Sequence, residues 1–326
     1  MKRLTKRLLA VIFLLSLPPA AARAQVTFKP GKDKVDVEIN GQPFTTFYYG
    51  GKWAKPFLHP LRASTGVKLT RGFPVEEVAG ESHDHYFHHG LWYAHSDING
   101  IDFWREMGDT TTKETNFPLP LGRMVMRSVP TLKGGKDEGT LTADLDLVAP
   151  DNRALGVLRE KFTFRRAGAN NIIDAQITLN ANRGEPLKLA DTEEGGLSLR
   201  LADEFRQDRG TTLLNSDGLV GTEKIWGKRA KWVDYSTTLN GEKVGVTMFD
   251  HPRNPRHPTW WHARPYGLNV ANPYGERSFT GDKTRDGVLT IPTGGRLSFQ
   301  YRVLIHPGPA DAAAINQQWT EFANGK

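Results

Sequence analysis

The 326-residue chain contains no cysteine, so no disulfide braces the fold and any metal ion would have to be held by His, Asp, Glu or water. It also lacks a long apolar run. The one apolar stretch, residues 8–17, is about ten residues long, whereas a membrane-crossing helix needs roughly 20. Internal repeats, low-complexity tracts and Pro/Ser linkers that would cut the chain in two are absent as well. A surplus of charge is only apparent. Residues 1–24 hold five of the 43 basic residues and none of the 36 acidic ones, so removing them lowers the formal charge from +7 to +2. That near-neutral remainder gives no support for a nucleic-acid or membrane-surface partner.

Residues 1–24 have the three-part order of an export signal: Lys2, Arg3, Lys6 and Arg7, then the apolar run, then Ala22-Arg23-Ala24 before Gln25. Cleavage after Ala24 is expected, and with it a periplasmic or secreted protein. From Val26 onward, short runs of period-two alternation are separated by turn signals. Asn40-Gly41, between 34–39 and 43–49, is a strong hairpin signal. Further strands are expected at 140–148, 157–165, 172–179, 197–201, 231–235, 244–249, 268–271, 288–291 and 297–305. Only 311–322 reads as a helix, packed on the outside of a sheet. The polar, Thr-rich stretch 105–117 is the candidate mobile loop. The expected architecture is all-β: one large two-sheet antiparallel β-sandwich over residues 25–326, closed by a short C-terminal helix.

Histidine is the informative residue. Five of the ten fall within 13 residues: His83, His85, His88, His89 and His95. In extended chain His83 and His85 share a side, with Glu81 and Asp84 beside them. Such a set suits a divalent cation held by His83, His85 and His88, a general acid and base, or a structural network of imidazoles bonded to backbone. The spacing matches none of the strong metal signatures.

The next segment carries Trp92, His95, Asp102, Trp104, Arg105 and Glu106. Aromatic faces with carboxylates and Arg grip a sugar, although each Trp suits a core equally well. A second cluster, 250–264, is broken by Pro252, Pro255 and Pro258, which marks a fixed loop. Its candidates are His257, Trp261, His262 and Arg264, while Arg253 and Arg256 suit a surface. Between the clusters, Glu193-Glu194-Gly195-Gly196 opens a strand. Adjacent acids there face opposite ways, so one of the pair at most serves a given pocket, and the glycines would admit a ligand near the backbone. In the segment 225–232, Trp232 reads as core and Trp226 is open.

These residues resemble a bacterial family labelled methane oxygenase PmoA, over nearly all of 25–326. The resemblance is carried by Gly50–Phe57 with His59, Pro60 and Arg62, by Leu69–Pro74, by Trp226–Ala230 and by Asn254–His262. It is also carried by the segment 84–92, where the family pattern runs Asp-His-Pro-His-His-Arg-Gly-Leu-Trp. Asp84, His85, His88, Gly90, Leu91 and Trp92 match that pattern; Tyr86, Phe87 and His89 depart from it, which shifts weight to His85 and His88. Methane oxidation is rejected, since a membrane monooxygenase subunit needs several apolar spans of roughly 20 residues. The resemblance implies instead the sandwich of galactose mutarotase-like enzymes, in which a His and a Glu act on a bound sugar.

The leading expectation is a carbohydrate-active enzyme that moves a proton at a sugar carbon, as an epimerase, or as a lyase or hydrolase of an oxidised glycoside. His85, His88 and His262 are its candidate acids or bases, with Glu193 or Glu194 as base. Arg71 and Arg264 would steady oxyanion charge; Trp92, Trp104 and Trp261 would form the stacking platform; His95, Asp102 and His257 would bind the sugar. A divalent metal is a candidate cofactor. The rivals are a non-catalytic sugar-binding protein and a metal-dependent oxidoreductase. Nothing in the sequence fixes the oligomeric state.

Overall fold

The alternation in the sequence becomes burial. Glu138–Val148 and Lys34–Ile39 bury every second side chain, as a strand with one wet face must. Asn40 and Gly41 both take positive φ, 56° and 73°, the conformation of the tight hairpin turn that Asn-Gly favours. A computed structural model describes residues 25–107 and 117–325. Residues 1–24, read in the sequence as an export signal, and most of the 105–117 stretch lie outside the described residues.

Two large antiparallel sheets face each other. In the first, ten strands run in the order Arg229–Ala230, Thr259–Trp261, Leu268–Asn272, Gly195–Arg200, Leu91–His95, Phe57–Leu58, Gln42–Tyr48, Lys34–Ile39, Gln25–Gly31 and Gly135–Lys136. The second has nine strands, with the long neighbours Glu138–Val148, Ala154–Ala167, Asn170–Asn180, Arg296–Pro307 and Glu242–Asp250 at its centre. The expected two-sheet sandwich is therefore present, and its largest buried cluster draws side chains from both sheets. Each expected strand has a counterpart, most of them longer by one to three residues at the polar ends. Among the described residues, no helix is long and apolar enough to cross a membrane.

The expected C-terminal helix spans Ala312–Ala323, and Asp311 caps it by accepting from the backbone N–H of Ala313 and Ala314. Its Ile315 and Phe322 pack on Trp232, Phe249 and Leu304, on the outside of the second sheet. Trp232 is core, as expected, and its Nε1 donates to Asn316 at 2.9 Å.

Which face of the first sheet carries chemistry follows from strand parity. The Tyr93 hydroxyl meets that of Tyr274 at 2.6 Å, and the Tyr274 ring packs edge-on to Phe299 of the second sheet. Tyr93 therefore points inward, and Trp92, one residue away, points outward. Ser198 lies opposite Trp92 and Val270 opposite Ser198, so Arg200 shares the outward side. The His262 N–H bonds to the Val270 carbonyl at 3.1 Å and continues that row.

Candidate active site

The loop Ser82–Gly90 folds over the outward face and is tied down from beneath. Arg71, fully buried, donates to the carbonyls of Asp84 (2.8 Å) and His85 (3.0 Å) and to the Asp84 carboxylate. Arg200, also buried, reaches the same carboxylate at 2.8 Å. Burial alone would push the Asp84 carboxyl up. Contact with His85 and the charges of Arg200 and Arg71 outweigh that and hold it well below the usual carboxylate range. Arg71 is thus a loop anchor rather than an oxyanion donor at the surface.

The anchored loop presents a stack of rings. Tyr266, His85, His88 and Trp92 follow one another with centroids 5.2, 4.7 and 5.3 Å apart and planes within 17°, 5° and 26° of parallel. His85 stands near the outer end, partly exposed, with Nδ1 3.2 Å from Asp84 but not aligned as a hydrogen bond. Its φ of 44° turns the loop back on itself. His88 is sealed inside, and burial holds it well below the ordinary histidine value, as a neutral ring. Trp104 closes the inner end edge-on to Trp92 at 5.4 Å. Trp92 and Trp104 are wholly buried, so they back the site instead of offering a sugar platform.

His262 comes from the neighbouring strand end. Its Nδ1 lies 2.8 Å from the Glu193 carbonyl. A carbonyl only accepts, so Nδ1 carries the proton and the neutral ring keeps its lone pair at Nε2. Burial lowers its pKa to about 4, with the charges of Arg264 and His85 adding to the shift and the Glu193 carbonyl opposing it. The Glu193 carboxylate is 3.8 Å from Nδ1 and partly exposed. Trp226 stands edge-on to His262, its ring centroid 6.5 Å away. Arg264 faces the Tyr266 ring from 5.9 Å, and Arg200 faces it from 4.5 Å.

Glu193 and Glu194 part company, as adjacent strand residues do. Glu194 turns to Arg105, which also bonds Asp102 at 2.8 Å. Asp102 is buried and takes the N–H groups of Trp104 and Arg105, so it aims Arg105 rather than binding sugar. Burial pushes the Glu194 carboxyl up, against the pull of Arg105. Arg105 lies over Phe87, whose ring edge meets His88 at 5.0 Å, which brings this acid flank against the ring stack. Behind it, His89 and Lys55 lie 2.9 and 3.5 Å from Glu106 in a buried charged network.

Several expected site residues lie elsewhere. His95 points into the core, edge-on to Tyr274 at 4.4 Å, and burial lowers its pKa to about 3. Trp261 is also core, donating to the Ala230 carbonyl at 2.9 Å. It precedes His262 by one residue, so strand parity forbids both from facing one pocket. His257 bonds Asp250 at 2.6 Å and stacks on Trp319 of the C-terminal helix, away from the cluster. His83 stacks on Phe73 at 4.5 Å beside Glu77. Among the described residues, no group of three or more His, Asp or Glu side chains is arranged to hold a metal. The parallel His85 and His88 rings direct their in-plane lone pairs along separate planes, which does not fit a shared ion. The glycines serve packing, not a ligand: a Cβ on Gly196 would lie 2.0 Å from the Ala271 carbonyl oxygen, and one on Gly195 2.9 Å from His95.

A family model described as a family of unknown function, DUF6807, matches residues 34–320. The chain belongs to that family. The description of DUF6807 says nothing of methane oxidation. No curated protein matches the chain. A solved galactose mutarotase-like protein from Clostridium acetobutylicum is similar in structure, with 9% identity and a TM-score of 0.42, covering 87% of this chain and 99% of that one.

Arg200, Tyr266 and Trp226 complete the candidate site, and the first two were not among the residues singled out in the sequence. Arg200 carried a signal, a lone cation in the apolar alternation 197–201. Tyr266, in a Pro-Tyr-Gly turn, carried none.

Proposed function

We propose that this chain is an exported carbohydrate-active enzyme that transfers a proton at a sugar carbon. The observation that supports this reading is His262: a buried neutral imidazole, its tautomer set by the Glu193 carbonyl, beside Arg264 and the His85 ring. A base must keep a lone pair free at neutral pH, and Nε2 does so. In the proposed step, Nε2 takes the proton from a carbon next to a carbonyl of the sugar. Arg264, whose Nε is buried without a protein partner, bonds the oxygen on which the negative charge gathers. His85, held in the stack between Tyr266 and His88, returns a proton, either to the opposite face of that carbon or to a leaving oxygen. The first route is an epimerisation and the second an elimination. Glu194 and Arg105 bind hydroxyls on the other flank.

The test is a screen of the chain lacking residues 1–24 against glycosides and their 3-oxidised forms, read by mass spectrometry. Turnover lost in His262→Ala and reduced in His85→Ala is the expected result. Turnover unchanged in His262→Ala overturns the assignment. Saturable binding of an unaltered sugar would make the protein a binder instead.

A further inference from the structure

The opposite side of the molecule carries a feature that the proposed chemistry does not use. On the outer face of the second sheet, two concavities share Lys161 and Gln176 and so form one groove beside the C-terminal helix; the larger measures about 650 Å³. Four neighbouring strands, Glu138–Val148, Ala154–Ala167, Asn170–Asn180 and Arg296–Pro307, supply most of its floor. At about 4.8 Å between strands the floor is roughly 15 Å wide.

Its charge is one-sided. Seven cationic side chains line the groove against two carboxylates, Asp144 and Asp174. Those carboxylates are already engaged: Asp144 accepts two bonds from Arg159, at 2.7 and 2.8 Å, and Asp174 pairs with Arg165 and Arg302. Asp146, just outside, is shared by Arg127 and Arg183. Among the described residues, Lys161, Arg253 and Arg296 form no ion pair. A chain whose formal charge without residues 1–24 is only +2 therefore gathers its surplus cations in one concave strip. A groove of one sign with low-dielectric walls focuses field on its occupant.

We infer that this groove is a binding site for an extended acidic glycan, a chain of sugars bearing carboxylate or sulfate groups. The cations would meet the acid groups, and Thr142, Thr178, Asn180 and Ser298 offer the hydroxyl and amide contacts that sugar hydroxyls use. Single-stranded nucleic acid fits less well. Its bases need stacking faces, and the two aromatic side chains here, Tyr301 and Phe322, are buried. A membrane fits less well too, because the lining offers no exposed large apolar side chain for the acyl boundary. The site would tether the protein to an acidic polymer while the His262 face stays free.

The experiment is fluorescence anisotropy of a labelled oligogalacturonate against the folded protein at low and physiological salt. Labelled dextran sulfate, a neutral cello-oligosaccharide, single-stranded DNA and anionic phosphatidylserine vesicles complete the panel. Binding of an acidic glycan that weakens steeply with salt, and at least tenfold in both Lys161→Glu/Arg296→Glu and the milder Lys161→Gln/Arg296→Gln, is expected. These residues are at the surface and unpaired, and unchanged melting temperatures would confirm folded variants. Absence of acidic-glycan binding at low salt, binding untouched by both variants, or equal binding of the neutral glycan, the DNA or the vesicles overturns the inference. The His262 face lies across the sandwich, so the same variants leave any sugar turnover unchanged, and each proposal can fail alone.

Discussion

Glu160 sits on an inward-facing position of the second sheet, between Ala143 and Ile177 on the flanking strands, and neither carboxyl oxygen reaches a protein hydrogen-bond partner. Burial alone raises its pKa from 4.5 to about 8. The folded state therefore holds this proton more tightly than the unfolded chain does. Stability from the protonated group is complete below about 4.5 and is lost as pH rises through about 8. At about 1.4 kcal/mol per tenfold, the loss reaches about 5 kcal/mol once ionisation is complete. Glu160→Gln keeps the shape and removes the titration. In urea denaturation the variant is expected to lie within about 1 kcal/mol of wild type at pH 5. It should exceed wild type by about 4 kcal/mol at pH 8.5, or roughly 6 °C in melting temperature for a domain of this size. Parallel pH profiles for the two proteins would refute the reasoning, because they would mean that Glu160 has a partner or access to solvent.

Three further outcomes follow from the site. Asp84→Ala leaves Arg71 and Arg200 buried beside each other without their shared carboxylate. A loss of about 3 kcal/mol is expected, at the lower end for a buried pair because Asp84 is itself partly exposed; a denaturant midpoint equal to wild type would contradict it. Gly196→Ala forces a Cβ to 2.0 Å from the Ala271 oxygen at a φ of 117°. A cost of about 3 kcal/mol or more, measured the same way, is expected. A base with its pKa at about 4 is active only when unprotonated, so kcat/KM on any substrate should hold as pH falls and drop below about 4. A limb near 6.5 would point to a different base.

Much of the fold was legible because burial on one face writes itself as alternation. The strands Glu138–Val148 and Arg296–Pro307, the Asn40-Gly41 turn and the Asp311 cap all carried local signals that tertiary packing did not reverse. Apart from Leu289–Ile291, the two- and three-residue strands were not legible, since a run that short contains no period. The ring stack was half visible. Clustered histidines marked the loop, but whether an imidazole faces solvent or Trp92 depends on how Arg71 and Arg200 pull on Asp84, which spans three distant segments. The misplaced Trp261 has a simpler cause. Pro255 and Pro258 interrupt the strand before it, so parity could not be carried forward from an earlier residue, and the outward role passed to His262 and Trp226.

The proposed chemistry turns on one proton leaving one carbon. Incubating the chain lacking residues 1–24 with its 3-oxidised glycoside substrate in deuterated water, and following the sugar by proton NMR, tests it most directly. The account predicts loss of the hydrogen at a carbon adjacent to the carbonyl, replaced by deuterium in an epimerisation or by a double bond in an elimination, with the wild-type protein and with His88→Phe, which conserves the sealed ring, but not with His262→Ala. Proton loss that persists in His262→Ala, or turnover that keeps the original hydrogen on every carbon adjacent to the carbonyl, would contradict it.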